Sequence, residues 1–396
     1  MNGPMALKSV YRSLSFISAS LAFVLMLSVS AKAMSQTVLI PSPPQIAGSS
    51  YVLMDPKSGH VIMAENSNER LPPASLTKMM TAYIVERELD EGRINMSDMV
   101  PISVKAWKTE GSRTFIKEGT SVSVEDLLKG VIIQSGNDAS VALAEFVAGS
   151  EGAFVDIMNQ QAQLLGMKDT NFMNATGLPG ADHFSTAYDL AVLARAIIND
   201  YPENYPIYAE KHFTYNNIRQ PNRNSLLWRD DSVDGLKTGH TEEAGYCLVA
   251  SAKRNDTRFI AAVMGTSSSQ SRSQEIQKML NYGFRYFESE RLFRAGQELI
   301  EAKVWGGQSD QLSVGMLEDA YVTIPRGSRD SLESSVDLDS VIKAPVRAGD
   351  ELGRVKVSFN GEVLVDQPIL ALTDVPEGGL FKRIWDAIKL FFVQLF

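Results

Sequence analysis

The chain has 396 residues, 44% of them hydrophobic, which suits a soluble globular protein of about two domains with a large core. With 47 acidic against 38 basic residues the net charge is -9, and no Lys/Arg cluster marks the middle of the chain, so a nucleic-acid partner is not expected. One cysteine, Cys247, excludes an internal disulfide; four scattered histidines, His60, His183, His212 and His240, lack the spacing of a zinc site, so neither a metal nor another cofactor is expected.

Lys8 and Arg12 precede an apolar run from Leu14 to Val29, and Ala31-Lys32-Ala33 then supplies the small-x-small pattern of a signal peptidase site. Residues 1–33 therefore read as an export leader cleaved after Ala33. The rival, an uncleaved anchor, requires about 20 apolar residues, which this run only marginally supplies. A Ser/Pro-rich tether from Ser35 to Pro44 follows, then a hairpin: Tyr51 to Asp55 and His60 to Ala64 flank the turn residues Pro56-Lys57-Ser58-Gly59.

Pro72-Pro73-Ala74-Ser75-Leu76-Thr77-Lys78 opens the next element. Leu76, Met79, Met80 and Tyr83 recur at the spacing of an apolar helical face, so a helix runs to about Leu89 with Ser75 in its first turn. Residues three apart share a face, which brings the Ser75 hydroxyl within reach of the Lys78 amine. A serine hydroxyl is a weak nucleophile; a desolvated lysine, its pKa lowered from about 10.4 towards neutrality, can take its proton. Ser-x-x-Lys is a short pattern, and a second copy, Ser340 to Lys343, lies in strand-like sequence where no chemistry is expected.

Asn95 to Ser121 reads as loops and short strands, with Gly111 to Phe115 bordering a cleft or forming a surface turn. Ser123 and Asp126 form a capping box that opens a helix through Ile132, stopping at Gln134. Ser135-Gly136-Asn137 is a polar turn before a second apolar helix, Ala139 to Val147. Helical signals continue over Gly152 to Leu165 and, capped by Thr186 with Asp189, to Ile198. From about Lys211 the period changes: Phe213 to Asn216, Gly235 to Gly239, Tyr246 to Ser251 and Phe259 to Met264 read as strands of one antiparallel sheet. A helix from Ser271 to Phe287 would pack on it, and Cys247 reads as a small buried apolar residue.

Past Glu298 short alternating stretches punctuated by turn signals such as Asn360-Gly361 predict a small β-sandwich ending near Thr373, with a spacer or docking role. After Pro376-Glu377-Gly378-Gly379, expected to be a flexible tether, the last segment places Leu380, Phe381, Ile384, Trp385, Ile388, Phe391, Phe392 and Leu395 on one helical face and Lys382, Arg383, Asp386 and Lys389 on the other. That is the pattern of a helix lying in a membrane interface.

The third chemical motif is Lys237-Thr238-Gly239 on a predicted strand, with Gly239 leaving room for a substrate backbone. Ser-x-x-Lys, Ser-x-Asn and Lys-Thr-Gly, in this order on helix, turn and strand, form a set far more specific than any member. With the exported N-terminus, the β-rich second domain and the amphipathic tail, the chain resembles low-molecular-mass penicillin-binding proteins, the D-alanyl-D-alanine carboxypeptidases of the penicillin-binding protein 5/6 type. The resemblance runs nearly end to end.

It implies an α/β (α+β) transpeptidase-like domain over 34–297, with an antiparallel sheet and helices, then an all-β domain over 298–375 and an anchoring helix over 376–396. It implies hydrolysis of the D-Ala-D-Ala end of peptidoglycan stem peptides through a Ser75 acyl-enzyme, with Lys78 as general base and Ser135 relaying a proton to the leaving amine. Asn137 would hold the substrate amide and Lys237 would supply positive charge. Thr238 would bind the terminal carboxylate, with Arg272 as a second partner or else a solvated arginine at a helix start. The N–H groups of Ser75 and His240 would form an oxyanion hole. β-Lactams would acylate Ser75, and hydrolysis of them would be inefficient, because the second motif is Ser-Gly-Asn and no equivalent of the class A β-lactamase glutamate loop is evident. The expected location is periplasmic, peripherally on the outer face of the inner membrane. The alternatives are a D,D-endopeptidase cutting crosslinks with the same residues and a non-catalytic, membrane-associated peptidoglycan-binding scaffold.

Overall fold

A computed structural model describes residues 40–395; the expected leader and the start of the expected tether lie outside the described residues. Strands β1 (Ser50–Met54) and β2 (Val61–Glu65) form the expected hairpin. A 3-10 turn, Ala74–Thr77, runs directly into α1 (Lys78–Asp90). There follow β3 (Met99–Pro101), α2 (Val104–Lys108), β4 (Ser121–Ser123), and α3 (Val124–Lys129), which widens into a looser turn over Gly130–Gln134. The helical block continues with α4 (Asn137–Ala148), α5 (Glu151–Leu164) and α6 (Ala187–Asp200). Side-chain caps start these helices where the sequence placed them: Ser123 accepts from Asp126 N and Thr186 from Asp189 N, each satisfying an otherwise orphan amide.

Strands β5 (His212–Tyr215) and β6 (Ile218–Pro221) pair only with each other. The Phe213 strand is therefore not part of the main sheet as expected; Asn216 and Asn217, both at positive φ, turn it straight back into β6. β7 (Val233–Thr241), β8 (Gly245–Arg254) and β9 (Thr257–Thr266) complete a five-stranded antiparallel sheet of order β2-β1-β9-β8-β7, and α7 (Ser269–Tyr286) lies on it.

Alternation along the strands divides the sheet's side chains between two cores. Val52, Met54, Val249, Ile260 and Ala262 pack with Met79, Met80 and Ile84 of α1 and with the helical block. Their neighbours Leu53, Leu248, Phe259 and Val263 pack with Ile276, Met279 and Leu280 of α7. Both faces are covered, so these strands read as continuous apolar runs, and each buried Leu, Ile or Met contributes about 1.5–3 kcal/mol of burial.

β10 (Phe287–Phe293) follows α7 and pairs with β13, so the β-rich ladders begin before residue 298. The other strands are β11 (Glu298–Trp305), β12 (Gln311–Gly315), β13 (Ala320–Pro325), β14 (Leu332–Leu338), β15 (Ile342–Lys343), β16 (Glu351–Phe359) and β17 (Glu362–Ala371). They form a six-stranded sheet of order β14-β16-β17-β12-β11-β15 beside the β10–β13 pair. A buried contact joins the two parts: Thr323 Oγ1 donates to the fully buried Asp55 Oδ2 at 2.8 Å and lies 2.6 Å from Ser58 Oγ.

The last helix, α8 (Leu380–Leu395), is not loosely tethered. Gly378 N donates to Gly306 O at 2.8 Å, and Gly306 N donates to Asp386 Oδ2 at 3.1 Å. Lys382 pairs with Asp310, Arg383 pairs with Glu377 at 2.6 Å, and Leu390 is buried. The polar side thus faces the β-domain, and Phe381, 90% exposed, leads an outward stripe with Trp385, Phe391 and Phe392. No helix among the described residues is long and apolar enough to cross a membrane.

Candidate active site

Pro73 precedes the single 3-10 turn that carries Ser75. Ala74 holds a φ of 47°, a left-handed conformation that costs a non-glycine residue about 1–2 kcal/mol. The strain is enforced by contact: a β-carbon on Gly177, itself at φ 82°, would lie 1.8 Å from the Ala74 carbonyl oxygen, so two backbones meet beside the nucleophile. Three residues on, Lys78 Nζ lies 3.2 Å from Ser75 Oγ and donates to the Thr176 carbonyl. Lys78 is 1% exposed. Burial, reinforced by the Arg223 charge and opposed by Asp138, brings its amine down to about 7. Deprotonated, that amine has a lone pair within reach of the hydroxyl proton.

The loop containing Thr176 is set by Asn174, whose Oδ1 accepts from Thr176 N at 3.0 Å, Thr176 Oγ1 at 2.9 Å and Gly177 N at 2.7 Å. His183 Nε2 sits 2.9 Å from Thr77 Oγ1. Burial, with a contribution from the Lys78 charge, pushes this imidazole down to about 4, so it is neutral at physiological pH.

Ser135 ends the wide turn after α3 in a left-handed conformation, φ 68° and ψ 36°. It is buried, and its Oγ has no partner among the described residues, so its hydrogen-bonding capacity is free for a bound molecule. Asn137 donates from its backbone to Ser112 O at 2.7 Å and from Nδ2 to Glu110 O at 2.5 Å. Asp138, fully buried, accepts from the amides of Thr114 at 2.8 Å, Phe115 at 2.9 Å and Ile116 at 3.3 Å. A β-carbon on Gly136 would lie 2.1 Å from Thr114 Oγ1. The Gly111–Phe115 stretch is thus stitched against the second motif as its wall.

Lys237 is buried on β7, its Nζ 3.3 Å from the Thr238 carbonyl. Burial first, then the charges of Lys78, Arg223 and Arg272, holds its amine well below the ordinary lysine range, so first and third motifs share one electrostatic site. Thr238 is also buried. Gly239 does not leave space for a substrate: a β-carbon there would lie 3.0 Å from Pro73 O and 3.2 Å from Leu76 Cγ, so the glycine lets the Ser75 turn pack onto β7. His240 is exposed and stacks on Tyr246 with ring centroids 3.9 Å apart. Arg272 is not a solvated helix-start residue. Its Nη1 donates to Gly239 O at 3.0 Å and Cys247 O at 3.4 Å, bracing the third motif from α7.

The structure thus brings Ser75, Lys78 and Lys237 into one site, with Arg272 behind β7. Sequence reasoning missed Asp138, Asn174, Gly177 and Arg223. Asp138 adjoins a recognised motif, and only its burial distinguishes it from an acidic N-terminal helix residue. Nothing in the local pattern marks the others, because their partners lie far away in the chain.

Residues 37–268 match the family described as D-alanyl-D-alanine carboxypeptidase, and residues 287–377 match the penicillin-binding protein 5 C-terminal domain. D-alanyl-D-alanine carboxypeptidase DacA of Escherichia coli is 43% identical over 90% of this chain and 91% of that protein. D-alanyl-D-alanine carboxypeptidase DacC of the same organism is 42% identical over 96% of each. Among solved structures, penicillin binding protein 5 from Haemophilus influenzae superposes with a TM-score of 0.82 at 42% identity, covering 85% of this chain and 100% of that one.

Proposed function

The chain belongs to the D-alanyl-D-alanine carboxypeptidase family, and from that membership together with the geometry of its site we infer how its residues divide the work. It is a serine-type D,D-carboxypeptidase. In the reading proposed here, neutral Lys78 takes the Ser75 proton as Ser75 attacks the penultimate D-Ala carbonyl of a stem peptide. Ser135, whose hydroxyl has no partner among the described residues, relays that proton from Lys78 to the departing D-Ala amine, which returns Lys78 to its neutral form. Lys237 and Thr238 receive the terminal carboxylate, Asn137 contacts the substrate amide, and the N–H groups of Ser75 and His240 stabilise the oxyanion, an interaction worth about 10²–10³ in turnover. Arg272 acts through Gly239 by holding β7. Water then releases the shortened peptide.

The observation that carries this reading is Lys78 Nζ at 3.2 Å from Ser75 Oγ with its pKa brought to about 7. The test is covalent labelling with a fluorescent penicillin, parent against Ser75→Ala, alongside D-Ala release from a pentapeptide. Label on the parent alone supports it; equal label on both, or D-Ala release without Ser75, refutes it.

The body is proposed to be exported to the periplasm and held on the outer face of the inner membrane by α8. What supports this is the helix's orientation, with its charged side pinned to the β-domain and its Phe/Trp stripe facing out. The domain division is proposed to follow the strand pairing, with the β-domain beginning at β10.

A further inference from the structure

A cleft of about 480 Å³ lies where the catalytic part meets the β-domain. Lys57 of the β1–β2 turn and Asp256 of the β8–β9 turn form one wall; Ser289 and Glu290 of β10, with Arg294 and Arg329, line the other. It is remote from Ser75. Thr238 pairs with Leu248 near one end of β8, whereas Asp256 sits beyond the other, and at about 3.3 Å per residue that separation is roughly 20 Å or more.

Four cations face two carboxylates in this cleft, in a protein whose overall charge is negative. Arg291 pairs with Asp319 at 3.1 Å and Arg329 with Glu290 at 3.0 Å. Lys57 Nζ donates to the Asp256 carbonyl oxygen at 3.0 Å and lies 4.5 Å from the Tyr321 ring centroid. Arg294 has no side-chain hydrogen bond or ion pair among the described residues. Ser289, only 9% exposed, has an Oγ with no hydrogen-bond partner among the described residues, although its amide is satisfied by Thr257 Oγ1 at 3.2 Å. A buried hydroxyl left unpaired has lost its hydration without replacement, a cost that a ligand oxygen would relieve. An unpaired guanidinium is suited to a carboxylate or phosphate, which it grips through two parallel bonds. The volume lies within the roughly 300–1,000 Å³ of small-molecule sites.

We propose that this junction cleft is a second ligand site, which takes a small oxyanion-bearing molecule with its charged group between Arg294 and Arg329 and an oxygen on Ser289. The oxyanion is a carboxylate, as on a peptidoglycan fragment, or a phosphate ester. The ligand touches both parts of the chain, through Lys57 on one side and β10 on the other, so it stabilises their junction. The site stands independently of any role assigned to Ser75.

The experiment is calorimetric titration of the full chain, pre-acylated with benzylpenicillin so that Ser75 is blocked, with muramyl dipeptide in one arm, glycerol phosphate in a second and neutral N-acetylglucosamine in a third. Binding of either anion that weakens at least fivefold in Arg294→Ala and in Ser289→Ala, but not in the distant Arg347→Ala, supports the site; whichever anion binds identifies the source. Arg294 has no partner to lose, so the variant should melt at the parent temperature and label with penicillin at the parent rate. No heat from either anion up to 5 mM, or binding equal in parent and Arg294→Glu, overturns the proposal.

Discussion

Lys78 gives the sharpest test of the chemistry, because its surroundings set a pH at which acylation should switch on. With a pKa of about 7, the neutral fraction of the free amine is about one tenth at pH 6 and about nine tenths at pH 8, so the second-order rate of penicillin acylation should rise about tenfold between them and then level off. An unperturbed lysine near 10.4 would instead give a steady tenfold rise per pH unit with no plateau below pH 9. The Arg223 charge contributes to holding Lys78 down, so Arg223→Ala should move the midpoint upward while leaving the plateau in place. Stopped-flow acylation from pH 5.5 to 9.5, with pH-independent labelling of a control site to correct for reagent chemistry, reads both. A log-linear profile with no inflection between pH 6 and 8.5, or a midpoint lowered by Arg223→Ala, would mean that another group takes the Ser75 proton.

Three further outcomes follow from the packing. Burial holds Glu86 up at about 8, only partly offset by the hydrogen bond from Tyr208 Oη at 3.1 Å, so its folded pKa exceeds its unfolded value. Protonation therefore favours the fold: its stability contribution is intact below about pH 4.5 and is lost as pH rises through 8. The melting temperature of Glu86→Gln relative to the parent should rise across that window and flatten above it; a constant difference from pH 4.5 to 9 contradicts the burial argument. Asp138→Ala removes the acceptor of three loop amides and should cost about 3–5 kcal/mol of stability by denaturant titration, while lowering penicillin acylation at least tenfold in the surviving fold. Gly177→Ala puts a β-carbon into the Ala74 carbonyl, so acylation should fall at least tenfold, whereas Gly152→Ala, which meets nothing, should leave it unchanged.

Much of this arrangement was legible because it is local. Period-3.6 apolar spacing with Ser123 and Thr186 as caps located the longer helices, whereas the short α2, Val104–Lys108, falls in a stretch that reads as loops and short strands; the runs Tyr246 to Ser251 and Phe259 to Met264 announced strands, which the structure covers on both faces. The three motifs were legible for the same reason, each lying within one turn or strand. What escaped depends on contacts between segments far apart in the chain. The Phe213 strand looks like the others, and only the positive φ of Asn216 and Asn217 shows that it folds back on β6. Gly239 seemed to offer space, yet the Pro73–Leu76 turn fills it, and Gly177, which nothing in the local pattern marks, meets the same turn. The tail read as tethered because glycines precede it, whereas Gly306 binds both Gly378 and Asp386 and fixes its direction.

The charges in the site explain why one motif needs the other two. The charges of Lys78, Arg223 and Arg272 all act on Lys237, and that of Arg223 on Lys78, while the carboxylate that acts on Lys78, Asp138, is committed to backbone amides and buried behind the second motif. Two buried lysines in mutual repulsion cannot both hold protons easily, so their titration is coupled. On the proposed reading the substrate supplies the missing anion: its terminal carboxylate, seated by Thr238, raises the proton affinity of the nearer amine, Lys237. A protonated Lys237 then depresses Lys78 further through the same repulsion that is present without substrate. Binding thereby sorts two similar amines into a cation that holds the substrate and a base beside Ser75. The selectivity for a free C-terminal carboxylate and the readiness of the nucleophile are then consequences of one electrostatic arrangement.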